Sequence, residues 1–567
     1  MNSTATPALY FHPDQIEGEG RDLVGRRSAG QSFLAGFLRH MPGDSVQCLV
    51  ETQAGGQAFD KIARSLGETR PITTHVLRGG GDFTSAGCVF FPTPGYSNAP
   101  WRRQQLGPDR CSLVGITHTM STARIIMGLH HLMSEPVEPW DAIICTSRAV
   151  RAVVERQFEA ETAYFRQRFG ATRMPLPQLP VIPLGIAAED FTPLPGARAG
   201  ARASVGTPQD AVVIMTMGRL SVVEKANPVP LFLAMEHLAR TCGKPLHLWL
   251  VGWASRPEEE ALHRQGAATL CPSVTLRMID GRDPDVRRNV WAGADIFTLP
   301  ADSIQETFGL VPVEAMAAGL PVVMPDWDGF RDTVLHGETG FLVPTRMAAP
   351  GGGVEMARRF ADQTDGYLQY LTMVQALVAI DVPAYAAALG RLIDDPDLRA
   401  RMGAAGARHV RDRLDWRAVI PRYADLAATL AEARRGTVAS TPPLAQGAPN
   451  PTAIDPFDLY ADYPTATLSP DTPLRLREPA TAQSMVQRDI VSGRQLYRRM
   501  PMPQEVVQRF AAAIAVAGAP TLAELAAAMR APLHVAEAAV LILAKSGYVE
   551  LPQIDPRGVR VLTSGRH

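Results

Sequence analysis

Gln305-Glu306-Thr307-Phe308-Gly309-Leu310-Val311-Pro312-Val313-Glu314-Ala315-Met316-Ala317-Ala318-Gly319-Leu320-Pro321 follows a short apolar run, residues 296–299, that reads as a strand. Pro312 suits the first turn of a helix, where a missing N–H breaks no bond. Gly319 and Pro321 stop that helix. Glu306 therefore falls in the loop before the helix, and Glu314 within it. The free N–H groups of Gly309, Leu310 and Val311 leave the helix N-terminus together with the positive end of its dipole. That arrangement suits a diphosphate. Gly309, with no side chain, lets a ligand approach the backbone closely.

On both sides of this stretch, short β-rich apolar runs alternate with longer helical patterns, which implies βα units and a parallel sheet buried on both faces. One series comprises 212–217, 246–251, 274–279, 296–299 and 321–324. An earlier series comprises 46–50, 88–91, 112–116 and 142–145, closed by Val181-Ile182-Pro183-Leu184-Gly185 as a strand and a turn. The Pro-, Gly- and Ala-rich segment 192–207 reads as the link between them. Two series of similar size predict an α/β chain of two Rossmann-like domains, 1–190 and 191–435. The second ends in a helical region, 384–435, whose last helix, around 416–430, is expected to cross back to the first domain. A Pro/Ser/Thr-rich linker, 436–454, leads to an accessory module, 455–567. There two short helices, a glycine turn and a strand give a winged-helix-like α+β pattern. Leu522, Leu525, Val540, Leu543 and Val549 are its expected core.

Of the 567 residues 46% are hydrophobic and 20% charged, the balance of a soluble globular enzyme. The net charge of −1 gives the whole chain no bias toward nucleic acid or an anionic membrane. None of the six cysteines has zinc or redox spacing, so buried reduced thiols are expected. The N-terminus lacks a basic segment followed by an apolar core, and no apolar run reaches membrane-spanning length. A cytoplasmic protein is expected, with peripheral attachment at the inner membrane face left open.

The block from Gln305 to Pro321 resembles the signature of glycosyltransferase family 4, retaining enzymes with the two-Rossmann GT-B fold. Gly218-Arg219-Leu220-Ser221, followed by Lys225, resembles that family's G-R-L-S…K motif. Ala226-Asn227 replaces the Gly that often follows the Lys, and the loop is slightly long. The resemblance covers residues 181–424 well and the N-terminal half weakly. It implies two facing Rossmann-like domains and a nucleoside-diphosphate-sugar donor in the cleft between them. It also implies transfer of a hexosyl group to a glycan or glycoconjugate acceptor, as in bacterial polysaccharide synthesis, with no cofactor and no metal. Under this resemblance Arg219 and Lys225 grip the diphosphate with the helix start at Phe308, Gly309, Leu310 and Val311. Glu314 holds the ribose, and Glu306 contacts the transferred sugar. Leu250-Val251-Gly252 and Met278-Ile279-Asp280-Gly281 resemble the nucleotide-proximal loops, so Gly218, Asp280 and Gly281 join the donor-binding set. His118, in Gly115-Ile116-Thr117-His118-Thr119 at a strand end, stands where relatives often carry a His near the sugar.

Other features say less. Gly25-Arg26-Arg27-Ser28-Ala29-Gly30, before a helix, is a candidate cleft loop, and Cys145-Thr146-Ser147 a strand end facing the cleft. Asp328-Gly329-Phe330-Arg331-Asp332 and the stretch 337–343 read as structural turns. Three Asp-x-Asp triplets, at 283–285, 326–328 and 395–397, match the metal-binding pair of single-domain glycosyltransferases, but chance supplies one or two in a chain of this length. Gly79-Gly80-Gly81 and Gly351-Gly352-Gly353 lack dinucleotide or P-loop spacing. A sugar-nucleotide epimerase shares the two-Rossmann fold and is the alternative enzyme. A winged-helix DNA-binding regulator is the alternative of another class. The candidate reader helix, 535–545, is mostly apolar with Lys545 as its one basic residue, which argues against nucleic acid. Docking or self-association is the expected use of the module.

Overall fold

A computed structural model describes residues 6–13, 24–78, 80–437, 450–489 and 501–553, without the side chains of 24–29, 284 and 437. The chain divides into two compact units, Met1–Ala448 and Pro449–His567.

The first unit contains two six-stranded parallel sheets. One uses β1 (Ala8–Phe11), β2 (Val46–Val50), β3 (Ile72–Val76), β4 (Cys88–Phe90), β5 (Ser112–Ile116) and β6 (Ala142–Ile144), in the order β3-β2-β1-β4-β5-β6. The other uses β7 (Val212–Arg219), β8 (Leu246–Trp253), β9 (Thr275–Asp280), β10 (Ile296–Thr298), β11 (Val322–Pro325) and β12 (Gly340–Val343), in the order β12-β11-β10-β7-β8-β9. Counted within its own domain, each order is the doubly wound 3-2-1-4-5-6 arrangement. β5, β6 and β10 are buried at every residue, as strands covered by helices on both faces must be. The expected α/β pair of Rossmann-like domains is what the chain forms.

In such a sheet the crevice opens at the carboxyl ends of the two strands where the winding reverses. In the second sheet these are β7 and β10, which pair in register at Ile296–Ile214 and Phe297–Met215.

The helix Trp416–Thr437 brings the chain back to the first domain, where Trp416, Val419, Ile420, Tyr423 and Leu430 join the core with Phe37 and Phe90. Trp416 donates its indole N–H to Ser32 Oγ at 2.8 Å. A Cβ at Gly36 would stand 2.4 Å from the Trp416 ring, and one at Gly185 2.6 Å from it, so two glycines make room for this indole.

Several expectations are corrected. The segment 192–207 holds the helix Ala197–Ser204. Its Arg202 is fully buried, donating to Asp295 at 2.7 Å and to the carbonyls of Gly293, Pro208, Gln209 and Ala211. Ala-rich composition favours a helix here, and one satisfied guanidinium pins it. The run 181–185 makes only an isolated bridge at Val181, because Pro183 interrupts a ladder. The stretch 337–343, expected as a turn, contributes edge strand β12. Gly25 to Gly30 fall inside the helix Val24–His40 rather than ahead of it. The expected linker lies largely outside the described residues.

Two further strands, β13 (Thr345–Met347) and β14 (Val378–Ile380), pair antiparallel around an excursion of the chain. In the second unit, helices Gln504–Ala517, Leu522–Ala528 and Leu533–Lys545 pack together. A two-residue ribbon, Arg475–Leu476 with Val549–Glu550, lies beside them. Leu522, Leu525, Val540, Leu543 and Val549 are all buried there. Among the described residues no single helix is long and apolar enough to cross a membrane.

Candidate active site

β7 runs two residues further than its apolar pattern, so Gly218 and Arg219 stand on the strand itself. The ends of three strands meet around two glycines: Gly218 pairs with Gly252, and Gly252 with Asp280. A Cβ on Gly252 would lie 1.8 Å from the Gly218 carbonyl oxygen. Gly281 N–H donates to Gly252 O at 3.2 Å. A pocket at these ends is lined by Gly218, Arg219, Ser221, Lys225, Leu250 and Pro300, among others.

The loop after β10 closes the crevice. The helix Leu310–Ala317 begins at the expected place, with Gly309 as its cap at φ +81°. That φ favours glycine, and a Cβ there would stand 2.2 Å from the Phe330 ring. Phe308 and Phe330 are both core residues, so the Phe308 side chain is buried beside the helix start. Leu310 and Val311 are half-buried against the same core, and the first N–H groups of any α-helix have no intrahelical acceptor.

The charged groups converge. Lys225 Nζ lies 3.4 Å from Glu306 Oε2. Burial works against the charge of Glu306, but Lys225 and the N–H groups of Thr307 and Phe308 outweigh it and hold the carboxyl below the usual carboxylate range. Arg219 makes a two-pronged pair with Glu224, at 3.0 and 3.4 Å. Glu314 is buried, with Oε1 3.7 Å from Arg287 and Oε2 without a hydrogen-bond partner. Burial pushes its carboxyl up, against the pull of Arg287. Asp328, at φ +47°, has a buried Oδ2 without a partner. Burial first, and then the negative Glu306, push it up to about 8. Its turn is pressed on the loop before the helix: a Cβ at Gly329 would stand 2.5 Å from Phe308 Cα.

The first domain reaches the same place. His118, exposed after β5, accepts the Thr307 hydroxyl on its carbonyl oxygen at 2.7 Å. Arg148 donates to Asp332 from its backbone N–H at 2.6 Å and from Nε at 2.5 Å. The structure thus brings Arg219, Lys225, Glu306, Gly309 and the His118 backbone to one crevice. Asp280 stays at its edge, exposed and paired with Arg282 at 2.5 Å. Sequence reasoning missed Arg287, Glu224 and Asp302. Asp302 is buried, raised to about 6 by burial, and bonded by Asn227 N–H and Gln375. Glu224 falls among the unspecified positions between Ser221 and Lys225, and Arg287 and Asp302 lie outside the quoted motifs, with partners distant in the chain.

Residues 211–352, which contain this whole crevice wall, match the family model described as "Glycosyl transferases group 1". That stretch is therefore similar to a group 1 glycosyltransferase domain. Relatives of the chain include the D-inositol 3-phosphate glycosyltransferase of Kineococcus radiotolerans, 28% identical over 55% of this chain and 66% of that protein. The namesake from Rhodococcus erythropolis is 34% identical over 26% of this chain and 34% of its own length. The chain thus spans less than two thirds of the length of these curated relatives. Solved structures similar to it include Anabaena HepE in complex with UDP and glucose, at 15% identity, TM-score 0.46, covering 75% of this chain and all of that one. A glycosyltransferase from Rickettsia africae is 13% identical, TM-score 0.47, covering 75% of this chain and 98% of that one. Within residues 211–352, the β7 end and the Lys225 loop line the pocket at the reversal of the sheet, and Lys225 reaches Glu306 in the loop before the helix at Leu310.

Proposed function

We propose that the protein moves a hexosyl group from a nucleoside-diphosphate sugar to a glycan or glycoconjugate acceptor, with retention of configuration and without a divalent cation. The observation that carries this reading is the meeting of Arg219, Lys225, an ionised Glu306 and a helix N-terminus at the strand-order reversal of the second sheet. Two fixed cations and unpaired backbone N–H groups are what a departing diphosphate requires, and they do the electrostatic work that a metal does elsewhere. For that, Arg219 exchanges Glu224 for the phosphate, and Lys225 is shared between phosphate and Glu306. Glu306 accepts from a sugar hydroxyl and faces the positive charge that develops on the ring. Glu314, with one orphaned buried oxygen, accepts from the ribose hydroxyls. The acceptor oxygen attacks on the face the diphosphate leaves, the C–O bond to the diphosphate breaks, and the acceptor proton passes to a diphosphate oxygen. No protein nucleophile is needed. The proposed setting is the cytoplasm, at or near the inner face of a membrane.

The test is thermal unfolding with UDP-, GDP- and ADP-glucose in turn. A ligand that binds the folded state alone raises Tm by mass action, so one of the three is expected to shift it by several degrees. That nucleotide sugar should then be hydrolysed at an unchanged rate in excess chelator. No shift with any of them overturns donor binding. Activity lost in chelator and restored by Mn²⁺ overturns cation independence.

A further inference from the structure

Between β13 and β14 the chain leaves the second sheet as an excursion, 348–377, with helices Val354–Ala361 and Tyr367–Gln375. Its second helix meets the candidate site at both ends. Gln375 Nε2 donates to Asp302 Oδ1 at 2.6 Å. The Tyr367 hydroxyl lies 2.8 Å from Ser121 Oγ and accepts from Gln305 Nε2 at 3.2 Å. Gln305 Nε2 also faces Glu224 Oε1 at 3.4 Å, and Glu224 in turn holds Arg219. Ser121 lies in the loop of the first sheet domain that carries His118, and Gln305 directly precedes Glu306. The Tyr367 hydroxyl therefore joins a line of side-chain hydrogen bonds running from Ser121 through Tyr367, Gln305 and Glu224 to Arg219. A phenol can both give and take a hydrogen, so one hydroxyl can serve Ser121 and Gln305 together. The ring itself leans on Phe360, with centroids 6.4 Å apart.

We propose that Tyr367 is a positioning residue for the transfer step: it ties the two sheet domains across the cleft and fixes the Gln305–Glu306 loop at its working spacing. The proposal rests on the glycosyl-transfer reading. The groups assigned to the nucleoside diphosphate all belong to the second sheet domain, so the tie acts on turnover and not on nucleotide binding.

The experiment compares the full chain with Tyr367→Phe, which keeps the ring and removes the hydroxyl, and with Ser121→Ala and the double variant. Two readouts are taken. Without any ligand, amide hydrogen exchange should rise in the loops around 118–124 and 303–308 of Tyr367→Phe and stay unchanged in β7. With UDP-, GDP- and ADP-glucose as substrates, kcat for the accepted donor should fall about tenfold, a change in keeping with losing a hydrogen bond or two at closure. Kd for the matching nucleoside diphosphate should stay within about twofold of wild type. Ser121→Ala should lower kcat similarly, and the double variant no further than Tyr367→Phe alone. Unchanged exchange in both loops overturns the tie, whether or not the enzyme reading holds. Raised exchange with an unchanged kcat, or single effects that simply add, overturns the role in transfer. A wild-type protein that processes none of the nucleotide sugars sinks the enzyme reading instead, and the exchange result then decides the tie alone.

Discussion

Glu306 and Glu314 are the same kind of side chain in opposite surroundings. Glu306 has Lys225 and two N–H groups to hold its charge, whereas Glu314 is buried with one distant arginine and an unpartnered oxygen. Glu306→Gln is expected to lower kcat by about 10²–10³, the scale for losing one pre-aligned electrostatic contact to the reacting centre, with nucleoside diphosphate affinity little changed. Glu314→Gln should instead weaken that affinity by about tenfold, because a ribose contact is alike in ground and transition states. Isothermal titration of both variants with the nucleoside diphosphate separates the roles; equal affinity in Glu314→Gln and wild type rules out the ribose assignment. Asp328 gives a pH prediction. Its carboxyl is raised from 3.8 to about 8 by burial and by Glu306, with Asp332 adding to the rise and Arg331 opposing it. The folded state therefore holds a proton that the unfolded chain gives up near pH 4. Stability from this group is full below pH 4 and is lost as pH climbs toward 8. Asp328→Asn, which also tolerates the left-handed backbone, should raise Tm by about 2–4 °C at pH 8 and by little at pH 4. An equal effect at both pH values would mean that the carboxyl is already ionised in the folded protein.

At the scale of elements, the decisive unit is strand, loop and helix from β10 to Ala317. The loop gets its shape from two glycines. Gly309 supplies a positive φ against the Phe330 ring, and Gly329 lets the following turn close on Phe308. Gly309→Ala should therefore do more than a surface change. Either the Phe330 ring or the helix start must move, at a cost of about 1–3 kcal/mol for overpacking, with strain at the cap added. The expected outcome is a lower Tm together with loss of nucleotide binding. Normal binding with normal Tm would show that the helix start tolerates a Cβ. Much of this unit was legible in sequence, because Pro312, Gly319 and Pro321 punctuate the helix locally. β12 was not. Its four residues form a strand only because β11 offers a free edge, and Gly340 fits there because a Cβ would meet the Val322 carbonyl at 2.0 Å.

For the whole molecule, all groups assigned to the donor lie within the unit Met1–Ala448. The second unit has a core of its own, built on Phe510, Ile514, Leu522, Val540 and Tyr548. Residues 1–448 alone should keep donor hydrolysis and the nucleotide-induced rise in Tm, while losing whatever self-association the full chain shows on sizing chromatography. An insoluble fragment, or a soluble one that no longer binds nucleotide, would mean that the first unit depends on the second. The sequence by itself determined the α/β class, the pairing of two βα series and the helix that starts at Leu310. Those features rest on periodicity and punctuation among residues close in the chain. It also marked Arg219, Lys225, Glu306 and Glu314, through the resemblance of the stretches that carry them to a family signature. Only the tertiary structure decided which charges meet. Lys225 reaches Glu306, Arg287 reaches Glu314, and Tyr367 bridges Ser121 and Gln305, because strand order in the sheet, and not distance along the chain, makes them neighbours. The upward shifts of the Asp328 and Glu314 carboxyls likewise follow first from burial, of which local pattern carries no record.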